Sequence, residues 1–453
     1  MKRFFSLFVA LLCCLTLSAT AETQAPETPE AQTARAVVEA VAAEDYDAAV
    51  ELFSAELAAT LSAQALQEAY EPLLAVIGTY QGIHSITQYS ADGAEIVMVQ
   101  CAYEKSGLMF TVTFTGGSVA GFFMQLVAIP EIDGLEAPID STTREEVALR
   151  PGAEDETIAT LLIPDGKGPF PAVVMLAGSG PQDKDETSAV NAANRPFYDI
   201  AEELARQGVA SIRYDKYTYA HAANMTEDEI AHLTIQEEYI NDAVAAVAAL
   251  RADARIGDIY LLGHSQGAML VPRIMQAIEA QEGLGEIAGG VMLSGSPKPL
   301  WQISMAQNVA LLGAEQMESY EAILSEQIQL ANSLDTMTEE ELITKTVFGV
   351  SAYYQKDETS VDAAQAALEN GRRLFIAQGD ADWQVTTADG IEAWKAALEG
   401  AQFPVEYHLY ENLNHLLMTQ EGSVTRTLMD YALPGHVSQQ VIEDIAAFIL
   451  AGE

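Results

Sequence analysis

Basic residues are scarce in this chain: 22 lysines and arginines stand against 66 aspartates and glutamates, which gives a formal net charge of −44. A surface with this excess of negative charge repels nucleic acid and anionic membranes. The composition therefore predicts no nucleic-acid partner and disfavours polyanionic substrates.

Cysteine is equally scarce, and two of the three cysteines, Cys13 and Cys14, lie in an apolar run that follows MKR. Because this run is short for a membrane span and ends at Ala19-Thr20-Ala21, residues 1–21 have the pattern of a cleavable secretory signal. We expect a secreted or cell-envelope protein without stable membrane insertion after cleavage. A membrane anchor and a lipidated cysteine are the alternatives. Cleavage would leave Cys101 alone, which excludes an internal disulfide.

Composition and periodicity divide the following residues into three segments. Residues 22–34 are rich in Pro, Thr and Glu and predict a flexible leader. Residues 35–127 combine helical spacing with alternating stretches such as EIVMVQCAYE, which predicts a small α+β domain. Residues 128–142 contain two prolines and little periodicity, and predict a linker.

From residue 143 to residue 453, short apolar strands alternate with helical segments after an expected hairpin formed by EEVALRP and TIATLLIP. Such alternation predicts an α/β domain with a mainly parallel sheet and helices on both faces. The alternation stops over residues 297–371, which show helical segments and no strand signal. We therefore predict a helical cap over the carboxyl ends of the strands.

One pentapeptide within this domain, GHSQG, places Ser265 after the apolar strand IYLL and before the helix-forming run AMLVPRIMQAIEA. A serine between glycines on a strand-turn-helix is held exposed above the sheet, which predicts a nucleophile. A serine hydroxyl needs a base to take its proton and a further group to orient that base.

The acid and the base should follow Ser265 in the chain, each at the end of a later strand. His415 follows the strand VEYHLYE by a short loop and is the predicted base, with His436 as the alternative. After the strand RRLFIAQG, Asp382 is the predicted acid, whereas Asp380 is better suited to cap the turn.

Two backbone N–H groups are expected to bind the oxyanion of the reaction. One is that of Gln266, and the other comes from the loop AGSGPQDKDET, where Ser179 and Gly178 are the candidates. No G-K-[ST] follows these glycines and no metal-ligand spacing surrounds His221 or His232, so no cofactor and no metal are predicted.

Taken in order, GSGPQDKDET, SIRYDKY, GHSQG, QGDADWQV and NLNH resemble the bacterial carboxylesterases of the α/β-hydrolase superfamily, which often carry a small α+β domain before the hydrolase domain. The resemblance implies an α/β-hydrolase fold with Ser265 as nucleophile, Asp382 as acid and His415 as base. It also implies cofactor-free hydrolysis of a small-molecule ester. The chain departs from the family pattern at two places. Ala177 stands where histidine is common, and Tyr217-Thr218 stands where Arg-Gly is usual.

The same residues also suit a peptidase, a thioesterase or a deacetylase, because substrate contacts come from the cap and the loops. A binding protein with a vestigial hydrolase domain is the non-enzymatic alternative. Trp301, Tyr353 and Tyr354 of the predicted cap either line an acyl pocket or pack among its helices. The sequence leaves the oligomeric state and the physiological substrate open.

Overall fold

The structure is a computed structural model that describes residues 28–91, 94–127, 142–153, 155–188, 194–311, 314–420 and 424–452. The predicted signal and residues 128–141 of the predicted linker lie outside these residues. The described residues divide into two compact units. The first unit contains the described residues that fall within 1–69, 85–99 and 110–123. The second unit contains those that fall within 70–84, 100–109 and 124–453.

Four helices begin the described chain: α1 (Pro29–Ala42), α2 (Tyr46–Glu51), α3 (Ala55–Thr60) and α4 (Ala63–Ile77). The first of them corrects the leader predicted over residues 22–34, because residues 29–34 are helical. The Thr28 hydroxyl accepts a hydrogen bond from the Ala31 amide, and Pro29 occupies the first turn, where its missing N–H costs little. Ala31 and Ala34 are buried.

A small sheet follows, with the strand order β1 (Tyr80–Ala91), β2 (Ala94–Tyr103), β3 (Gly107–Thr115) and β4 (Ser118–Val127). Neighbouring strands joined by two or three residues can only be antiparallel. Helices followed by a meander agree with the α+β pattern read from the sequence.

The large sheet has eight strands in the order β14-β13-β10-β9-β7-β8-β6-β5. Strands β7 to β10, β13 and β14 pair in parallel, whereas β5 and β6 form the expected antiparallel hairpin. Thr142, the last residue of the predicted linker, already belongs to β5. The strands are β5 (Thr142–Leu149), β6 (Thr157–Pro164), β7 (Phe170–Leu176), β8 (Ala210–Tyr214), β9 (Ile256–His264), β10 (Gly289–Leu293), β13 (Arg373–Gly379) and β14 (Val405–Tyr410).

Helices cover both faces of this sheet, because successive side chains of a strand point to opposite sides. In β7, Val174 joins one buried apolar cluster and Val173 joins the other. The α-helices that follow β7 in the chain, including those of the cap, are α5 (Pro196–Arg206), α6 (Tyr217–His221), α7 (Glu227–Ala231), α8 (Asn241–Ala252), α9 (Gln266–Glu279), α10 (Leu300–Leu311), α11 (Ala314–Asn332), α12 (Glu339–Thr344), α13 (Ala352–Glu358), α14 (Ala363–Asn370), α15 (Ile391–Ala397) and α16 (Gln439–Leu450).

The cap predicted as all-helical over residues 297–371 also contains a short antiparallel pair, β11 (Thr346–Val347) and β12 (Val350–Ser351). Two residues per strand are too few to produce an alternating pattern, which explains why the sequence showed no strand signal. None of the helices in the described part of the chain is long and apolar enough to span a membrane.

Candidate active site

Ser265 lies on the tight turn between β9 and α9 with φ 52° and ψ −115°. Positive φ is costly for a residue with a side chain, and such strain is typical of a nucleophile held above a sheet. The flanking glycines are required sterically. A Cβ on Gly267 would lie 2.0 Å from the Leu176 carbonyl oxygen, and one on Gly263 would lie 2.4 Å from the Gly267 carbonyl. The helix can therefore approach the strand only with glycine at these positions.

A cavity of about 80 Å³ opens beside Ser265. The predicted oxyanion residues Ser179 and Gln266 line it together with the serine, so the structure brings these three residues to one place. Helix α10 of the cap forms part of its wall. The remaining lining residues are Met269, Ser296, Leu300, Ile303, Ser304, Gln307, Val350 and Val385.

The structure also joins His415 to Asp382, since His415 Nδ1 lies 2.8 Å from Asp382 Oδ2 and both residues are buried. The other oxygen of this carboxylate, Oδ1, accepts hydrogen bonds from the amides of Gln384 and Val385 at 2.9 and 3.0 Å. A carboxylate in this position fixes the imidazole with its proton on Nδ1, which leaves Nε2 able to accept a proton.

The alternatives left by the sequence have other partners. Asp380 Oδ1 accepts the Asn412 amide at 2.6 Å, which is the turn role expected for it. His436 is exposed and lies 3.1 Å from Asp199 Oδ1. A third histidine near the end of the chain, His408, lies within β14 and stacks on Phe375 with the ring centroids 4.4 Å apart.

One predicted oxyanion donor is corrected by the structure. The Gly178 amide donates to Glu186 Oε1 at 2.6 Å, so it is engaged and cannot bind an oxyanion in the cavity. Ser179 is then the candidate for the second donor. At the first turn of α9, the Gln266 amide has no intrahelical acceptor, as in any helix.

A buried pair, Glu186 and His264, joins the oxyanion loop to the His415 loop and has no signal in the local sequence. Glu186 Oε1 lies 2.9 Å from His264 Nδ1, and His264 Nε2 lies 2.9 Å from the His415 carbonyl oxygen. Both ring nitrogens therefore lie beside oxygen atoms that can accept, which favours the doubly protonated imidazole. Burial opposes this charge, but Glu186 and the His415 carbonyl outweigh it and raise the pKa of His264.

Lys216 is a second buried group that no local pattern indicates. Lys216 Nζ contacts Glu238 Oε1 at 3.0 Å, the Tyr239 hydroxyl at 2.7 Å and the carbonyl oxygens of Gly178 and Gly180 at 2.9 and 3.0 Å. Burial lowers the pKa of Lys216, and Glu238 partly offsets that effect. A single π-helical turn, Gln236–Ile240, carries both Glu238 and Tyr239 just before α8. The motif SIRYDKY contained Lys216, but nothing local revealed its partners.

The charged turn Asp183–Asp185, which follows the oxyanion glycines, is paired with strand β8, because Arg213 Nε lies 2.7 Å from Asp185 Oδ1. Of the cap aromatics, Tyr354 accepts a hydrogen bond from Gln266 Nε2 at 3.1 Å, whereas Trp301 and Tyr353 pack in an apolar cluster of the cap. Within the described ranges, no group of three histidine, cysteine or acidic side chains is arranged to hold a metal ion.

Known protein families match the small α+β domain and the α/β domain that follows it. Residues 192–422 match the family described as "Serine aminopeptidase, S33", and residues 34–122 match the family described as "Protein of unknown function (DUF3887)". The chain is 30% identical over 419 residues to Esterase EstD of Thermotoga maritima, which covers 91% of this chain and 93% of that protein.

Two solved structures are more distant. Est1E from Butyrivibrio proteoclasticus matches with a TM-score of 0.42 and 15% identity, over 68% of this chain and 98% of that one. The Pyrobaculum calidifontis esterase matches with a TM-score of 0.41 and 15% identity, over 69% and 86% of the two chains. The serine aminopeptidase match, by contrast, covers just over half of the chain, and the match to Esterase EstD covers 91% of it. They confirm the predicted superfamily: this chain belongs to the serine aminopeptidase S33 family of α/β-hydrolases.

Proposed function

We propose that this protein hydrolyses carboxylic esters of small molecules through an acyl-enzyme intermediate on Ser265. The observation that carries the proposal is the strained turn that holds Ser265 at the wall of a cavity shared with Ser179 and Gln266. The buried pair of His415 and Asp382 supplies a base and its orienting acid. Similarity to a protein named Esterase EstD supports esters as the substrate class.

In the proposed reaction, Ser265 Oγ attacks the ester carbonyl carbon while His415 Nε2 takes the hydroxyl proton. Asp382 holds the imidazole in the required tautomer and stabilises the imidazolium that forms. The amides of Gln266 and Ser179 bind the negative oxygen of the tetrahedral intermediate. The imidazolium then gives its proton to the leaving alcohol, and water, activated by the same histidine, releases the acid from the acyl-enzyme.

Aminoacyl substrates are the second candidate, because the family description reads serine aminopeptidase. An aminopeptidase must bind the ammonium group of its substrate, and a desolvated ammonium needs a carboxylate or several acceptors. None of the described residues that line the cavity beside Ser265 has a charged side chain. Because the cavity wall is neutral, it favours a neutral acyl group. We therefore propose esters rather than aminoacyl amides as the substrates.

The test is the Ser265→Ala variant, measured with p-nitrophenyl acetate and with leucine p-nitroanilide. We expect ester turnover to fall by at least about 10⁴-fold with unchanged circular dichroism. Ser211→Ala is the matched control, since Ser211 is a buried serine of β8, and it should keep wild-type turnover.

A fluorophosphonate probe should label the wild type and leave Ser265→Ala unlabelled. Retained ester turnover in Ser265→Ala would overturn the proposed nucleophile. Turnover of the anilide in preference to the ester would make the protein a peptidase. Failure of the probe to label the wild type, with no turnover of either substrate, would point to a binding protein.

Export through a cleaved signal is part of the same proposal, because the MKR-apolar-Ala19-Thr20-Ala21 pattern is its support. N-terminal sequencing of the protein recovered from expressing cells checks this, with Glu22 expected as the first residue.

A further inference from the structure

Lys216 is almost completely buried, which is unusual for lysine and requires compensation. Its ammonium group has a carboxylate partner, Glu238, but it also contacts the carbonyl oxygens of Gly178 and Gly180. Those two carbonyls flank Ser179 on the loop that follows β7. A lysine needed only to balance Glu238 would have no reason to bind this loop.

The contact with Gly178 determines where the Ser179 amide points. The Gly178 carbonyl and the Ser179 N–H belong to one peptide unit, and in a planar trans unit these two groups point in opposite directions. Lys216 Nζ donates to the Gly178 oxygen at 2.9 Å, and the Tyr239 hydroxyl, whose one proton is shared with Gln266 Oε1 at 3.1 Å, lies at the same distance from it. With the oxygen held on the side of Lys216, the Ser179 N–H points away from it.

Residue 178 is also held from its other side, by the bond between its amide and Glu186 Oε1. A Cβ here would lie 3.0 Å from that oxygen and 3.3 Å from Ser265 Cβ, so a side chain would fit only if these neighbours shifted by a few tenths of an ångström. The loop is thus fixed beside the nucleophile by two buried groups of opposite charge. Such a rigid arrangement is what oxyanion binding requires, since its donors must not reorganise during the reaction.

We propose that Lys216 is a positioning residue that orients the Ser179 N–H toward the oxyanion and strengthens it as a donor. This inference rests on the function proposed above. A charge-assisted hydrogen bond to the Gly178 oxygen polarises the peptide unit, and the polarised N–H binds a negative oxygen better. Tyr239 contributes to the same peptide as a second, uncharged donor.

The decisive variant is Lys216→Met, which keeps an unbranched side chain and removes all donors. We expect kcat for p-nitrophenyl acetate to fall about 30- to 100-fold with KM within about threefold, because only the transition state carries the oxyanion. The inhibition constant of a methyl trifluoromethyl ketone, which forms an oxyanion on the serine, should rise in proportion to the loss of kcat. Tyr239→Phe removes one of the two donors and should lower kcat about fivefold.

Glu238→Gln is the matched control, because it removes the charge partner of Lys216 and leaves the contact with Gly178 in place. It should lower thermal stability while kcat stays within about threefold of the wild type. The inference is overturned if Glu238→Gln loses as much kcat as Lys216→Met, or if kcat of Lys216→Met is unchanged.

Should Lys216→Met fail to fold, Lys216→Gln replaces it, because glutamine is polar but carries no charge, and an unchanged kcat in that variant overturns the inference. The function proposed for Ser265 fails separately, through turnover that persists in Ser265→Ala, so the two failures are distinguishable.

Discussion

The two walls of the cavity beside Ser265 are built from different kinds of interaction. On one side, the Ser179 loop is held by hydrogen bonds to the buried charged groups Glu186 and Lys216. On the other side, the cap helix α10 contributes Leu300 and Ile303, whose side chains are apolar, together with Ser304 and Gln307. Hydrogen bonds are directional and can fix a reacting geometry, whereas apolar contacts limit only the size and shape of what fits.

This difference separates rate from selectivity. A change on the polar side should reduce kcat for every ester, because each passes through the same oxyanion. A change on the apolar side should alter which acyl group is preferred, because it changes the room available. The predictions that follow test this separation.

The largest effect is expected for Asp382→Asn, on the polar side. The carboxamide oxygen can still accept the amides of Gln384 and Val385, while its NH₂ group faces His415 and forces the wrong tautomer. We expect kcat to fall about 10³- to 10⁴-fold for short and long esters alike. Steady-state kinetics with p-nitrophenyl acetate and octanoate measure this.

Asp380→Asn provides the control for this variant, because residue 380 is two residues away and its Oδ1 accepts a turn amide, that of Asn412. Its kcat should stay within about threefold of the wild type, since the amide oxygen of asparagine can accept the same bond. A loss at residue 380 as large as that at residue 382 would contradict the choice of Asp382 as the acid.

An intermediate effect is expected for Ile303→Ala, on the apolar side. Removing three carbons from the wall of a cavity of about 80 Å³ makes room for a longer acyl group. The ratio of kcat/KM for octanoate to that for acetate should rise about tenfold, the scale set by one or two methylenes in an apolar pocket. Kinetics with a series of p-nitrophenyl esters measure the ratio.

Ile323→Ala is the matched control, since Ile323 is exposed on helix α11 of the same cap. Its ester ratio should equal that of the wild type. If Ile303→Ala lowers kcat for all esters equally and leaves the ratio unchanged, the apolar wall does not determine the acyl preference as we describe.

The smallest effect concerns a buried carboxyl beneath the apolar wall. Glu358 accepts the Leu300 amide at the start of α10, and burial, assisted by Asp357, raises its pKa from 4.5 to about 7 against the opposing contributions of Leu300 and Arg273. The folded state thus favours the neutral acid. This stabilisation is complete below pH 4.5 and is lost as the pH rises through 7.

Glu358→Gln keeps a neutral acceptor for the Leu300 amide at every pH. The melting temperature of the wild type minus that of Glu358→Gln should therefore fall by about 3 °C between pH 5 and pH 8. Scanning calorimetry at both pH values measures it, and Glu340→Gln, at an exposed position of the cap, should show no such trend. A difference that stays constant with pH contradicts the raised pKa.

Much of the candidate site could be predicted because its residues are marked by local pattern. Ser265 lies in a strand-glycine-helix context, and Asp382 and His415 each follow a strand, so chain order alone suggested their proximity. Their catalytic roles stay predictions until the variants are measured. Errors arose where patterns were too short or too weak, as in the two-residue strands of the cap and the helical turn at Pro29.

The sequence by itself determined the alternation of strands and helices, and with it the family, because hydrophobic period and glycine placement are properties of neighbouring residues. Only the tertiary structure decided how the oxyanion loop is held. Glu186, Lys216 and Tyr239 come from three separate segments and meet at Gly178. No local sequence pattern indicates that these side chains are in contact, since the free energy of burying these charges depends on partners far along the chain.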